Sequence, residues 1–187
     1  IDLGINFLGF VFYEKSPRNL NLNDVHELKK YDKQKSSFTA VTVNPSNEFI
    51  QKMILGNFDY IQLHGSETNE RAGEIKSMGL KIIKAIKIKD ETDIKNYKKY
   101  NNADIILFDT PGMEKSIEFP KNLISKIPKG EKYALAGSIS QNNIENIAKL
   151  GVTFCDLSSS LELDDQIGYK DHQKIKKFIK KIDEFKN

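Results

Sequence analysis

The chain has 187 residues, 39% hydrophobic and 29% charged, which suits a single folded domain (residues 1–187) with a sizeable core. Its 29 basic and 26 acidic residues leave a net charge of +3, too small to point to a nucleic-acid or membrane partner. One cysteine excludes an intrachain disulfide, and no apolar run approaches the roughly 20 residues that span a bilayer, so a cytoplasmic location is expected.

Strands are expected at Phe7–Phe12, Phe38–Val43, Tyr60–Leu63, Lys81–Ile86, Asp104–Phe108, Lys132–Ala136 and Phe154–Leu157. Between them the pattern turns helical near Asn23–Lys30, Ser46–Leu55, Thr68–Met78, Thr92–Tyr100, Lys121–Ile127 and Gln141–Leu150, with a last helix over Asp171–Phe185. Ser46 and Ser140 are placed to cap their helices, each hydroxyl accepting a free backbone N–H. In the last helix Ile175, Phe178, Ile179, Ile182 and Phe185 form one apolar face, and Lys174, Lys176, Lys177, Lys180 and Lys181 read as its wet side.

Strands alternating with helices at this spacing indicate βαβ units and a parallel sheet. Seven strands fit an incomplete eight-fold barrel or an open doubly wound sheet, and periodicity alone does not choose. In a barrel the βα loops gather at the carboxyl ends of the strands and build the active site there. Arg18, Asn44, Gln62, His64, Asp109, Gly137, Asp156 and Ser158 all fall at such ends. Side chains alternate along a strand, so Gln62 and His64 share a face, as do Leu107 and Asp109, and Asp156 and Ser158, while Cys155 points the other way.

Each residue also has a plain structural explanation. Asp109 could cap a turn after its apolar strand, His64 could be a hydrogen-bonded structural histidine, and Arg18 could be a solvated loop arginine. Cys155 reads as a strand residue packed under a helix, and His26 and His172 as surface residues. Ala136-Gly137-Ser138 and Ser158-Ser159-Ser160 follow the last two strands and could hold a phosphate on backbone N–H groups alone.

In chain order, Gly9-Phe10-Val11-Phe12-Tyr13-Glu14-Lys15-Ser16-Pro17-Arg18, Asp59-Tyr60-Ile61-Gln62-Leu63-His64-Gly65-Ser66-Glu67, Ile83-Lys84-Ala85-Ile86 and Leu107-Phe108-Asp109-Thr110 resemble strands two, four, five and six of the phosphoribosylanthranilate isomerases. Leu135-Ala136-Gly137-Ser138 and Asp156-Leu157-Ser158-Ser159-Ser160-Leu161-Glu162, followed by Gly168-Tyr169-Lys170-Asp171, resemble that family's phosphate-binding end. The resemblance spans essentially the whole chain. It implies a (β/α)8 TIM barrel and a cofactor-free, metal-free Amadori rearrangement of N-(5-phosphoribosyl)anthranilate to the 1-(2-carboxyphenylamino)-1-deoxyribulose phosphate, a step of tryptophan biosynthesis. The implied partner is a small phosphorylated substrate, and the implied assembly a monomer or homodimer.

The same resemblance assigns roles. Asp109 is the general acid, Arg18 meets the anthranilate carboxylate, Gln62 and His64 face the substrate, and Gly137, Ser138, Ser159 and Ser160 form the phosphate cradle. Asp156 orients that cradle or a sugar hydroxyl. The sequence opens at Ile1 rather than Met. The family's first strand with its base, a cysteine, and part of its first helix are therefore expected ahead of it, and residues 1–187 by themselves are expected to be inactive. Met113-Glu114-Lys115-Ser116 replaces a usually glycine-rich loop, and Ser138 and Ser160 replace usual glycines. A barrel that binds a phosphorylated sugar without catalysis, or another ribulose-phosphate barrel enzyme, are the alternatives.

Overall fold

The computed structural model describes residues 3–109, 121–130, 132–137, 139–152 and 154–184. The chain divides into two compact units, Ile1–Ala85 with Lys99–Asp104, and Ile86–Lys98 with Ile105–Asn187.

In the first unit β1 (Phe7–Phe12), β2 (Ser37–Thr42), β3 (Tyr60–Leu63) and most of β4 (Lys81–Lys87) pair in parallel. Their register aligns Val11, Val41, Gln62 and Ile83 in one row across the sheet. The alternate residues Phe38, Ala40, Ile61, Leu63 and Ile82 are buried on the opposite face, where α2 (Asn47–Leu55) contributes Ile50 and Met53 and α3 (Asn69–Ser77) contributes Ala72 and Ile75. Burying such aliphatic side chains is worth about 1.5–3 kcal/mol each, more than intrinsic helix propensity supplies over a helix this short. Ser46 caps α2 by accepting the Phe49 N–H at 3.2 Å, and Thr68 caps α3 by accepting that of Arg71 at 3.2 Å. The expected helix at Asn23–Lys30 is shorter: a 3-10 turn, Leu22–Asp24, leads into α1, Val25–Leu28.

Two aspartates brace the amino ends of these strands in the same way. Asp59 accepts the Phe38 N–H and the Lys33 ammonium, both at 2.8 Å. Asp104 accepts the Ile82 N–H at 2.8 Å and the Lys76 ammonium at 2.6 Å. Each ties the start of a strand to the segment before it.

The second unit continues with α4 (Glu91–Lys95), capped reciprocally by Asp90 and Asp93, then a 3-10 turn at Asn96–Lys99, β5 (Ile105–Asp109), α5 (Lys121–Ile124), β6 (Tyr133–Ala136) and α6 (Ile144–Lys149). A short antiparallel pair follows, β7 (Glu162–Leu163) with β8 (Gln166–Lys170), and then α7 (His172–Asp183). The parallel sheet has the order β1-β2-β3-β4-β5-β6. Strands adjacent in sequence are adjacent in the sheet, with no reversal of order, so the doubly wound alternative is set aside.

Three expectations are corrected. The segment Phe154–Leu157 does not form a strand among the described residues: it makes a single parallel bridge, Leu135 to Cys155, with the Leu135 N–H donating to the Phe154 carbonyl and the Asp156 N–H to that of Leu135. The β7–β8 pair was not expected, because β8 is exposed throughout and carries no burial alternation. Finally, of the five lysines on α7 only Lys176, Lys177 and Lys180 are exposed; Lys174 reaches the Glu162 carbonyl and Asp164, and Lys181 the Gln141 carbonyl. Ser140 does accept a backbone N–H, that of Asn142, but one turn ahead of α6. Phe185 and the Met113–Ser116 loop lie outside the described residues.

Candidate active site

In the first unit the polar candidates lie at the carboxyl ends of β1, β2 and β3. Arg18 follows β1 in two successive turns, with the Ser16 N–H on the Tyr13 carbonyl and the Asn19 N–H on that of Ser16. The chain then returns so that the Leu20 N–H reaches the Val11 carbonyl at 2.8 Å. The Arg18 N–H donates to Ser16 Oγ at 3.1 Å, and the residue is half-buried. Gln62 is 5% exposed in the middle of the sheet. His64, half-buried, extends its strand by donating its N–H to the Thr42 carbonyl at 2.9 Å.

Beneath Asn44 and His64 sits a group that the sequence did not single out. Lys84 and Glu67 form an ion pair of 2.8 Å with side chains 2% and 1% exposed. Glu67 Oε1 accepts the N–H groups of Asn44 at 2.7 Å and Gly65 at 3.2 Å. Lys84 Nζ donates to the carbonyls of Leu63 and Gly65 at 3.2 and 2.9 Å. Burial opposes the charge on Glu67, but the ammonium of Lys84 and the Asn44 N–H outweigh it and hold the carboxyl below its usual range. Asn44 Oδ1 in turn accepts from the Ser66 N–H and hydroxyl. The available signal was a lysine inside the apolar run Lys81–Lys87.

In the second unit Asp109 ends β5, half-buried, in register with Ala136, and its carbonyl accepts the Ile88 N–H at 2.9 Å. Its side chain therefore leaves the sheet on the same face as Leu107 and Ala136. Gly137 follows with φ +89°, a conformation that suits glycine. Ser138 lies outside the described residues. Ser159 and Ser160 lie in a 3-10 turn, Ser159–Leu161, closed by the Leu161 N–H on the Ser158 carbonyl at 3.2 Å. Lys170 also donates to that carbonyl, at 2.8 Å, and to Glu162 at 3.2 Å, so a lysine pins this turn.

Asp156 is exposed one residue past the bridge. Cys155 stands in register with Leu135, on the face opposite Ala136. Burial, with the neighbouring Asp156 charge adding to it, pushes its thiol up to about 12. At such a value it carries almost no thiolate at neutral pH. His26 and His172 are exposed as expected, and no metal-binding cluster occurs among the described residues.

The family model described as "PRAI: N-(5'phosphoribosyl)anthranilate (PRA) isomerase" matches residues 1–181. The chain belongs to this family. It is 37% identical to the N-(5'-phosphoribosyl)anthranilate isomerase of Petrotoga mobilis, over 98% of this chain and 89% of that protein. The solved phosphoribosyl anthranilate isomerase of Thermotoga maritima matches it with a TM-score of 0.84 at 27% identity, over 98% of this chain and 90% of that one. A phosphoribosyl anthranilate isomerase solved with reduced 1-(o-carboxyphenylamino)-1-deoxyribulose 5-phosphate matches with a TM-score of 0.81 at 26% identity, again over 98% and 90%. The chain is thus a phosphoribosylanthranilate isomerase, an enzyme of tryptophan biosynthesis. Its described portion has an α/β fold with a six-stranded parallel-type sheet, and no helix among the described residues is long and apolar enough to cross a membrane.

Proposed function

We propose that Asp109 is the general acid of an Amadori rearrangement, protonating the ring oxygen as the furanose of N-(5'-phosphoribosyl)anthranilate opens. Removal of the C2′ proton then gives an enolamine, which becomes the 1-deoxyribulose product. The observation that carries the assignment is the place of Asp109 at the carboxyl end of β5, half-buried, with its backbone fixed by Ile88. A carboxyl in that setting is held where a sugar oxygen could meet it rather than free to swing in solvent.

Arg18 is proposed to bind the anthranilate carboxylate, for which a guanidinium fork is well shaped. Gln62 and His64 face the substrate. Gly137, Ser138, Ser159 and Ser160 form the phosphate cradle, with Asp156 orienting it or a sugar hydroxyl. The proton-abstracting cysteine is assigned to a first strand ahead of Ile1, and the complete gene product to the (β/α)8 barrel class. The high pKa and outward register of Cys155 support placing the base elsewhere. We further place the enzyme in the cytoplasm as a monomer or homodimer acting on a small phosphorylated substrate without cofactor.

An isomerisation assay of the complete gene product, beside residues 1–187 alone, tests this. Turnover by the complete protein and none by the shorter chain is the expected result. Full activity in residues 1–187 would remove the upstream cysteine from the mechanism.

A further inference from the structure

Among the ion pairs of the first unit, Lys84–Glu67 differs in where its remaining bonds go. Lys33–Asp59 and Lys76–Asp104 sit at the amino ends of strands, and their side chains are 16–43% exposed. Lys84–Glu67 is sealed from water at the carboxyl ends, and its bonds run to the backbone of Asn44, Leu63 and Gly65. His64 is bracketed by this set: the carbonyl before it is held by Lys84, and the N–H after it by Glu67. Asn44 is held by Glu67 with φ +48°, a left-handed conformation that asparagine tolerates better than most residues and that the bond helps to select. The space is closed as well, because a Cβ on Gly65 would stand 2.5 Å from Asn44 Oδ1 and 2.8 Å from Glu67 Oε1.

We propose that the Glu67–Lys84 ion pair is a positioning device that fixes the backbone at Asn44 and His64, and so sets how tightly the substrate is held. The proposal rests on the substrate-facing role given to His64 above. Stability alone does not require such a pair: the desolvation of two buried charges is large, and apolar residues of similar volume can replace a buried pair without loss. What an apolar pair could not supply is a fixed set of donors and acceptors for the backbone at Asn44, Leu63 and Gly65. Neither Glu67 nor Lys84 is assigned a contact with substrate. Both act through the loop.

The test uses the complete gene product and a double variant, E67Q/K84M, that removes both charges together. The control is D59N/K33M, which removes the other kind of pair at the opposite strand ends. Melting temperature, kcat, KM and the Kd for reduced 1-(o-carboxyphenylamino)-1-deoxyribulose 5-phosphate are measured for each. The expected result is that E67Q/K84M melts cooperatively, with KM and analogue Kd raised at least tenfold and kcat changed less than threefold. D59N/K33M should keep KM and Kd within twofold, whatever its melting temperature.

If E67Q/K84M keeps KM and Kd within twofold of the parent, or shifts them no more than the control does, the proposal is overturned. Should E67Q/K84M fail to fold, G65A decides, since its Cβ displaces the same loop with both charges in place. A raised Kd in G65A supports positioning, and an unchanged Kd overturns it. A parent that neither turns over substrate nor binds the analogue would instead sink the substrate-site assignments above, and this proposal with them.

Discussion

Lys84 Nζ and Glu67 Oε2 are 2.8 Å apart and both side chains are almost completely buried, an ion pair folded into the junction of β3 and β4. Removing one partner strands the other charge away from water, which in buried pairs costs about 3–5 kcal/mol. K84M alone should therefore lose about that much in urea unfolding, and E67Q/K84M markedly less. A double variant that loses as much as the sum of the singles would show that the two charges do not compensate each other.

Acid should dissolve the same contribution. The Glu67 carboxyl is held below its ordinary value of 4.5, so the native state binds its proton less readily than the unfolded chain does. The stabilisation is complete above about pH 4.5 and is lost as pH falls through the lower native value. The stability gap between parent and E67Q, measured by urea melts across this range, should narrow on the acid side and stay flat from pH 6 to 8.

Asp109→Asn keeps the shape of the side chain and removes its proton-donating function. The expected loss in kcat is about 10²–10⁴-fold, with analogue binding within a few-fold of the parent. Near-parental kcat in this variant would move the acid to another residue.

Arg18→Lys retains the charge but loses the two-pronged donor geometry. If Arg18 meets the anthranilate carboxylate, KM should rise about tenfold or more, with a smaller effect on kcat, since a hydrogen bond to a charged group is worth about 1.5–3 kcal/mol. An unchanged KM would remove Arg18 from substrate binding.

Cys155→Ala should leave kcat/KM of the complete protein within twofold. With its thiol pushed up to about 12, reaction with a thiol reagent at pH 8 should be slow and should speed up about tenfold per pH unit as the thiolate fraction grows. Fast labelling at neutral pH, accompanied by inactivation, would contradict this half-buried placement away from the Ala136 face.

The sequence by itself determined the features whose causes lie within a few residues. Phe7–Phe12 and Tyr60–Leu63 match their strands end to end because apolar runs between turn residues leave little choice. Ser46 caps its helix because its hydroxyl needs only the N–H three residues on. The family resemblance likewise picked out the strand ends where Gln62, His64 and Asp109 are found. Tertiary structure decided whatever depends on partners far along the chain. The segment around Cys155 makes one bridge rather than a strand, because pairing depends on the neighbour's register and not on its own apolar residues. Lys84 is a buried cation instead of a solvated one only because its register beside β3 brings it to Glu67, 17 residues away, where the ion pair and loop carbonyls offset the loss of water.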